Sequence, residues 1–284
     1  MTVTIGAAST YLEMLDKAYK KAALTTDLDI NPAWIRRADN SATFYTPDLA
    51  LIGLGTYSAT AGFPDGDATL TWTSHTYSHD RGRGFSIDKV DNDEGALMAF
   101  GNLANEFLRV YEVPEIDASR FAAIATAAGK DATGTLSDAT GVVAALNTGM
   151  DTLDEAEVDD GNKILYITAG LARLARTASS TAATTDALDR CKVVIVPKTR
   201  FYTALTLNAG SDASAGGYDA TGAQLNFMIV DKSAVFADAK HIAMRTFAPD
   251  VNQDADAWKF QFRIVHDCWV LKNRLTGVYV HSVT

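Results

Sequence analysis

The chain has 284 residues, 47% hydrophobic and 21% charged, an ordinary globular composition with room for one large domain or two smaller ones. Its 25 Lys and Arg stand against 35 Asp and Glu, a formal net charge of −10. That balance excludes tight, sequence-specific nucleic-acid binding, which needs a basic surface, but not the enclosure of nucleic acid without grip. The longest clean apolar runs, such as Val193–Val196, fall far short of the roughly 20 residues that span a bilayer, and the N-terminus lacks the basic and apolar regions of a signal peptide, so no membrane partner is expected. Cys191 and Cys268 form no CxxC and read as small buried residues of a reducing compartment.

In chain order, residues 1–41 open with Tyr11, Leu12, Leu15 and Tyr19 at helical spacing until Asn31-Pro32 breaks the chain, and the segment reads as an arm without a core. From 42 to 90 the chain is rich in glycine. Pro64-Asp65-Gly66-Asp67 signals a turn, and Leu70 and Trp72 alternate against threonines in a strand that Phe85–Asp88 continues. Such a long two-stranded excursion has too few apolar residues for a core and needs another surface to lie on. Asp91, Asp93 and Glu94 open the strongest helix, with Ala96, Phe100, Leu103, Phe107 and Val110 on one face, ending near Val113-Pro114.

A second helix is expected over Asp117–Ala128 and a third over Ser137–Glu157, capped by Ser137. Strand patterns follow at Lys163–Ile167 and, as a buried strand, at Cys191–Val196, separated by a helix carrying Leu171, Leu174 and Ala175. Pro197 starts a short helix, and residues 208–223 form a Gly/Ser/Ala/Asp loop with little to bury. Asn226–Val230 is strand, His241–Phe247 and Ala257–Leu271 form a hairpin about an acidic tip, and Thr276–His281 is a last strand. The fold class is α+β.

Chemistry-bearing patterns are sparse. Asp250, Asn252, Asp254 and Asp256 alternate like the start of a Ca²⁺ loop, but Ala255 stands where that loop needs Gly and Gln261 where it needs Glu, so a solvated hairpin tip is the stronger reading. His75 and His79 lie four apart in a strand context with no third ligand nearby. There is no GxSxG, no phosphate-binding glycine loop and no dinucleotide fingerprint. No catalytic residue, cofactor or metal is therefore assigned.

The string Thr71-Trp72 … Tyr77-Ser-His-Asp-Arg81-Gly-Arg83-Gly-Phe-Ser-Ile-Asp88 … Asp91-Asn-Asp-Glu94, followed by the helix and by Val113-Pro-Glu-Ile-Asp117 … Arg120-Phe121, resembles the major capsid proteins of tailed bacteriophages, whose fold is shared with herpesvirus capsid floors and encapsulins. The resemblance covers most of 44–121 and 186–283. It implies an N-terminal arm (1–41), an extended E-loop (42–90) and a peripheral P-domain with a spine helix and further helices (91–160). It further implies an axial A-domain (161–232) with a loop at 208–223, a P-domain hairpin (233–273) with its tip at 249–256, and a final A-domain strand (274–284). The implied function is a shell of pentamers and hexamers enclosing double-stranded DNA in a virion, assembled in the host cytoplasm with a separate scaffolding protein, a portal and possible decoration proteins, and without enzymatic activity. Trp72, Arg81, Arg83, Asp91, Asp93, Glu94, Glu112, Glu115 and Asp254 are the expected inter-subunit contacts, with Arg81 or Arg83 pairing with acids of an adjacent copy. Two alternatives stay open: an encapsulin-type compartment, and a carboxylate- or metal-dependent enzyme built on the Asp-rich loops.

Overall fold

The structure, a computed structural model, describes residues 23–29, 36–37, 43–60, 62–90, 106–177, 186–211 and 215–284. The chain divides into two units, Ile30–Ser78 and a larger one formed by Met1–Asp29 with His79–Thr284.

The smaller unit is an antiparallel sheet of β1 (Arg36–Arg37), β2 (Thr43–Leu51) and β3 (Ala68–Thr76), in that order. The β-branched and aromatic residues of Thr69–Thr73 favour the pleat. The register sets Pro47, Leu49 and Leu51 opposite Trp72, Leu70 and Ala68, so one face is apolar. At the base Phe44 is fully buried, its ring 5.2 Å from that of His75 and 5.4 Å from that of Tyr77, and Thr46 Oγ1 meets His75 Nε2 at 2.9 Å. The excursion thus has a small cluster of its own, where composition predicts none.

The larger unit runs β4 (His79–Asp88), α1 (Val113–Ala127), β5 (Lys130–Thr133), α2 (Ala139–Glu155), β6 (Lys163–Thr168), α3 (Ala169–Thr177), α4 (Asp186–Arg190), β7 (Lys192–Val196), β8 (Leu205–Leu207), β9 (Tyr218–Ala220), β10 (Leu225–Asp231), β11 (Val235–Phe247), β12 (Ala257–Val270) and β13 (Val278–Ser282). Its main sheet has the order β5-β13-β10-β6-β7. Strand alternation sends Ile164, Tyr166, Met228, Val230, Val278 and Val280 to one core, which they share with Phe121 and Ile124 of α1. Leu165, Ile167, Phe227, Ile229 and Tyr279 face the other core, with Val142, Leu146 and Met150 of α2. Gly149 lets α2 come this close, since a Cβ there would lie 2.9 Å from Tyr279 Cδ1.

A second sheet has the order β11-β12-β4, with Phe260, Phe262 and Ile264 packed on Leu108 and Ile116. β4 is therefore not the return arm of the E-loop hairpin. It pairs antiparallel with β12 from His79↔His266 to Asp88↔Ala257, and the run expected over 42–90 divides at Ser78.

Three local expectations change. The helix does not stop at Val113-Pro114. A π-helical turn, Leu108–Glu112, runs directly into α1, and the Val113 N–H donates to Leu108 O five residues back. A proline in a helix lacks an N–H and crowds the carbonyl four residues earlier, and the wider π turn ahead of Pro114 relieves both. Asp138, not Ser137, caps α2 and accepts from the Gly141 N–H. β7 is an edge strand, which leaves Ile195 exposed where a buried strand is expected. The beginning of the spine helix, with Asp91, Asp93 and Glu94, lies outside the described residues. Among the described residues no helix is long and apolar enough to cross a membrane.

Candidate assembly site

The sheet of the smaller unit presents an apolar face to solvent. Leu49 is 53% exposed, Leu70 55% and Trp72 43%, and toward the tip Leu51 and Ile52 are about two-thirds exposed and Leu54 stands fully in the open. Tyr57 and Phe63 pair at the tip with ring centroids 5.0 Å apart. Each apolar side chain left in water forfeits about 1.5–3 kcal/mol of possible burial. A contiguous row of them on two paired strands marks a surface made to be covered.

In the larger unit, Arg81 extends from β4 over α1. Its Nε and Nη2 donate to the two carboxylate oxygens of Glu115 at 2.5 and 3.2 Å, a bidentate pair. Nη1 donates to Asn208 O at 2.8 Å and Nη2 also to Gly217 O at 3.2 Å. One guanidinium thus joins β4, α1 and both stems of the loop between β8 and β9. Gly82 follows where a Cβ would lie 2.8 Å from Phe262 O, so the close approach of β4 to β12 requires glycine there.

Of the two arginines expected to meet acids of an adjacent copy, Arg81 already has an acidic partner in its own chain. Arg81 and Glu115 are partners within one chain, because β4 leaves the hairpin to join β12. Glu112 is likewise turned inward, only 7% exposed, with Oε2 lacking any hydrogen-bond partner. Burial, with Glu115 nearby, pushes its carboxyl up to about 8. His266, opposite His79 and stacked on it at 5.3 Å, is buried, which pushes its imidazole down to about 3. Arg83 is half-buried on β4.

At the tip of the β11–β12 hairpin the four alternating oxygen residues do not converge. Asn252 Nδ2 donates to Ala257 O, its Oδ1 accepts from the Asp254 N–H, and Asp254 pairs with Lys259 at 2.6 Å. No group of three or more His, Cys, Asp or Glu among the described residues is placed to hold a metal ion.

Two polar networks escape sequence reasoning. Asp117, fully buried on α1, accepts from the Leu24 and Thr25 N–H groups, from Thr25 Oγ1 at 2.7 Å and from Arg200 Nη1, while Arg120 pairs with Asp29 at 2.8 Å. With Leu28 in the core, residues 23–29 are thereby fixed to the body, although the sequence reads as a coreless arm to residue 41. Lys163, its amine fully buried, pairs with Asp154 and Asp160, and Arg190 closes the ring on both acids. The Arg190 and Lys163 hydrogen bonds hold Asp160 down to about 2. Asp117 sits in the helical pattern Asp117–Ala128 with nothing in its spacing to mark it as buried. The two partners of Lys163 lie on α2 and on the 3-10 turn Asp160–Asn162, and Arg190 reaches both from α4.

No family model and no curated protein matches the chain. Solved structures do. A chain from Mycobacterium phage Cain superposes with a TM-score of 0.60 at 12% identity over 93% of this chain and 90% of its own. The capsid structure of the cyanophage P-SCSP1u gives a TM-score of 0.56 at 13% identity, over 88% and 85%. The fold is that of tailed-phage capsid proteins. A virus-like particle from Pyrococcus furiosus shares it, with a TM-score of 0.52 at 11% identity over 94% and 96%.

Proposed function

We propose that this chain is the major capsid protein of a tailed bacteriophage, forming pentamers and hexamers that close into an icosahedral shell around double-stranded DNA. The observation that carries the reading is the capsid fold combined with an E-loop whose apolar face, Leu49, Leu70 and Trp72, is uncovered in a single chain. A second copy of the chain is the natural cover, since a shell repeats one heterologous contact around its symmetry axes. Trp72 is the anchor of that contact, as buried aromatics are at interfaces generally. Asp254 at the hairpin tip and Asp91, Asp93 and Glu94 at the start of the spine helix are further inter-subunit contacts in this reading.

The chain acts as a structural protein and not as an enzyme, located in the virion and assembled in the host cytoplasm with a scaffolding protein, a portal and decoration proteins as partners. The net charge of −10 suits a container whose lining does not grip packaged DNA. An encapsulin-type compartment is the second reading, favoured by the likeness to the Pyrococcus furiosus particle. Electron microscopy of particles recovered from cells expressing the chain together with its neighbouring genes separates them. DNA-filled, portal-bearing heads support the first reading, and shells loaded with an enzyme support the second.

A further inference from the structure

Beneath the loop that Arg81 holds lies a cavity of about 310 Å³ between β4, β12 and the helix of residues 107–116. This is the lower end of the size range of small-molecule pockets, about 300–1,000 Å³. Its walls are mainly apolar, formed by Phe85, Phe107, Phe262 and Ile264, with the Phe85 and Phe107 rings edge to face at 5.0 Å.

The polar groups on these walls are few, and they are not equivalent. Arg81 is held by Glu115 and two carbonyls, so that pair contributes no net charge. Arg83 lines the same cavity and makes no hydrogen bond or ion pair among the described residues. Glu112 lines it too, more than nine-tenths buried, with Oε2 unpartnered, and His266 offers a buried, unpartnered Nδ1. Burial raises the Glu112 carboxyl to about 8, so at neutral pH it carries its proton and is a hydrogen-bond donor. His266, held down to about 3, stays neutral. The charged and titratable groups that line the cavity with Glu112 are Tyr111 and Glu115 on its own helix, Arg81 and Arg83 on β4 and His266 on β12. Their sum leaves one uncompensated positive charge, one acid O–H and an aromatic slot.

We propose that this cavity binds a small carboxylate with an apolar or aromatic body, its head held by Arg83 and the Glu112 carboxyl and its body against Phe85, Phe107 and Phe262. A carboxylate neutralises Arg83 and accepts from Glu112 without either group changing its protonation. An amine has to displace the Glu112 proton and still leaves Arg83 unpaired. The volume selects a ligand the size of phenylacetate over a macromolecular segment.

The test is calorimetric titration of the full chain with phenylacetate, and with phenethylamine as the opposite charge, on dissociated subunits and on assembled particles. Phenylacetate is expected to bind both forms at pH 7 and about tenfold more weakly at pH 9, because binding follows the protonated fraction of a group titrating near 8. Glu112→Gln, which keeps a donor, retains binding and loses this pH dependence. Arg83→Ala weakens binding at least tenfold while Arg83→Lys weakens it less, with circular dichroism verifying that each variant is folded. Absence of binding, tighter binding of phenethylamine, or an Arg83→Ala variant that binds as before overturns the assignment. Binding to subunits that disappears in particles also overturns it, since the site is then filled by a carboxylate of a neighbouring copy.

Discussion

The sheet of the smaller unit and the main sheet both carry apolar side chains on their strands and handle them in opposite ways. In the main sheet, β6 and β10 are buried along their whole length, with alternate side chains feeding two cores. In the smaller unit, β2 and β3 bury Phe44 on one face at the base, while Leu49, Leu70 and Trp72 on the opposite, apolar face are exposed. The first pattern makes a stable subunit. The second adds little to the subunit and reserves its burial for contact with another copy. Strand periodicity alone does not distinguish these two uses, and the presence of covering helices does.

The largest expected effect comes from placing charge on the uncovered face. Leu49→Asp with Trp72→Asp abolishes particles, a more than tenfold drop in yield, while circular dichroism of the subunit is unchanged. Particles in normal yield would mean that this face is not the contact.

The larger unit, by contrast, is sensitive to its own interior. Glu112 has a folded-state value of about 8 against an unfolded value of about 4.3, so the native state binds the proton more tightly. Its contribution favours folding fully below the unfolded value and is lost as pH rises through the folded one, over the window from about 4 to 8. That loss amounts to at most about 5 kcal/mol. Denaturant titrations should show Glu112→Gln matching the parent near pH 4 and exceeding it by about 3 kcal/mol at pH 8. Equal stability at both pH values would show that the carboxyl finds a partner.

Leu165→Ala in the main sheet should cost about 3 kcal/mol through the cavity it leaves, whereas Leu70→Ala in the E-loop should change subunit stability by under about 0.5 kcal/mol. Similar losses at the two positions would erase the distinction between the sheets. Arg81→Ala should cost about 2 kcal/mol, because it strands the half-buried Glu115. It should also speed hydrogen exchange at Asn208 and Gly217, on the loop it clamps. Unchanged exchange there would assign the pair to stability alone.

Much of the fold was legible in the sequence. The apolar runs in Lys163–Ile167 and Asn226–Val230 and the hairpin about 250–256 report local preferences that tertiary packing leaves alone, whereas the turn expected at Pro64–Asp67 lies instead between Ser58 and Gly62, which bridge each other. What escaped was decided between distant segments. His79–Asp88 reads as more of the same hairpin, and only its pairing with Ala257–His266 assigns it to another sheet. Pro114 is a helix stop in isolation and is tolerated because a π turn precedes it. The same limit applies to the site. Arg81, Arg83, Glu112 and Glu115 stand out by type and spacing, yet whether each faces inward or outward depends on where β4 lies. Nothing in the spacing around Asp117 or Lys163 marks either as buried.

The central claim is that the chain assembles through the face it leaves uncovered, and the most direct measurement is electron microscopy of the purified protein, paired with sedimentation. Closed shells or capsomer rings, with the E-loop of one copy lying over another and Trp72 buried between them, are the expected result. A 30 kDa monomer under all conditions, including coexpression with its own scaffolding protein, would contradict the claim.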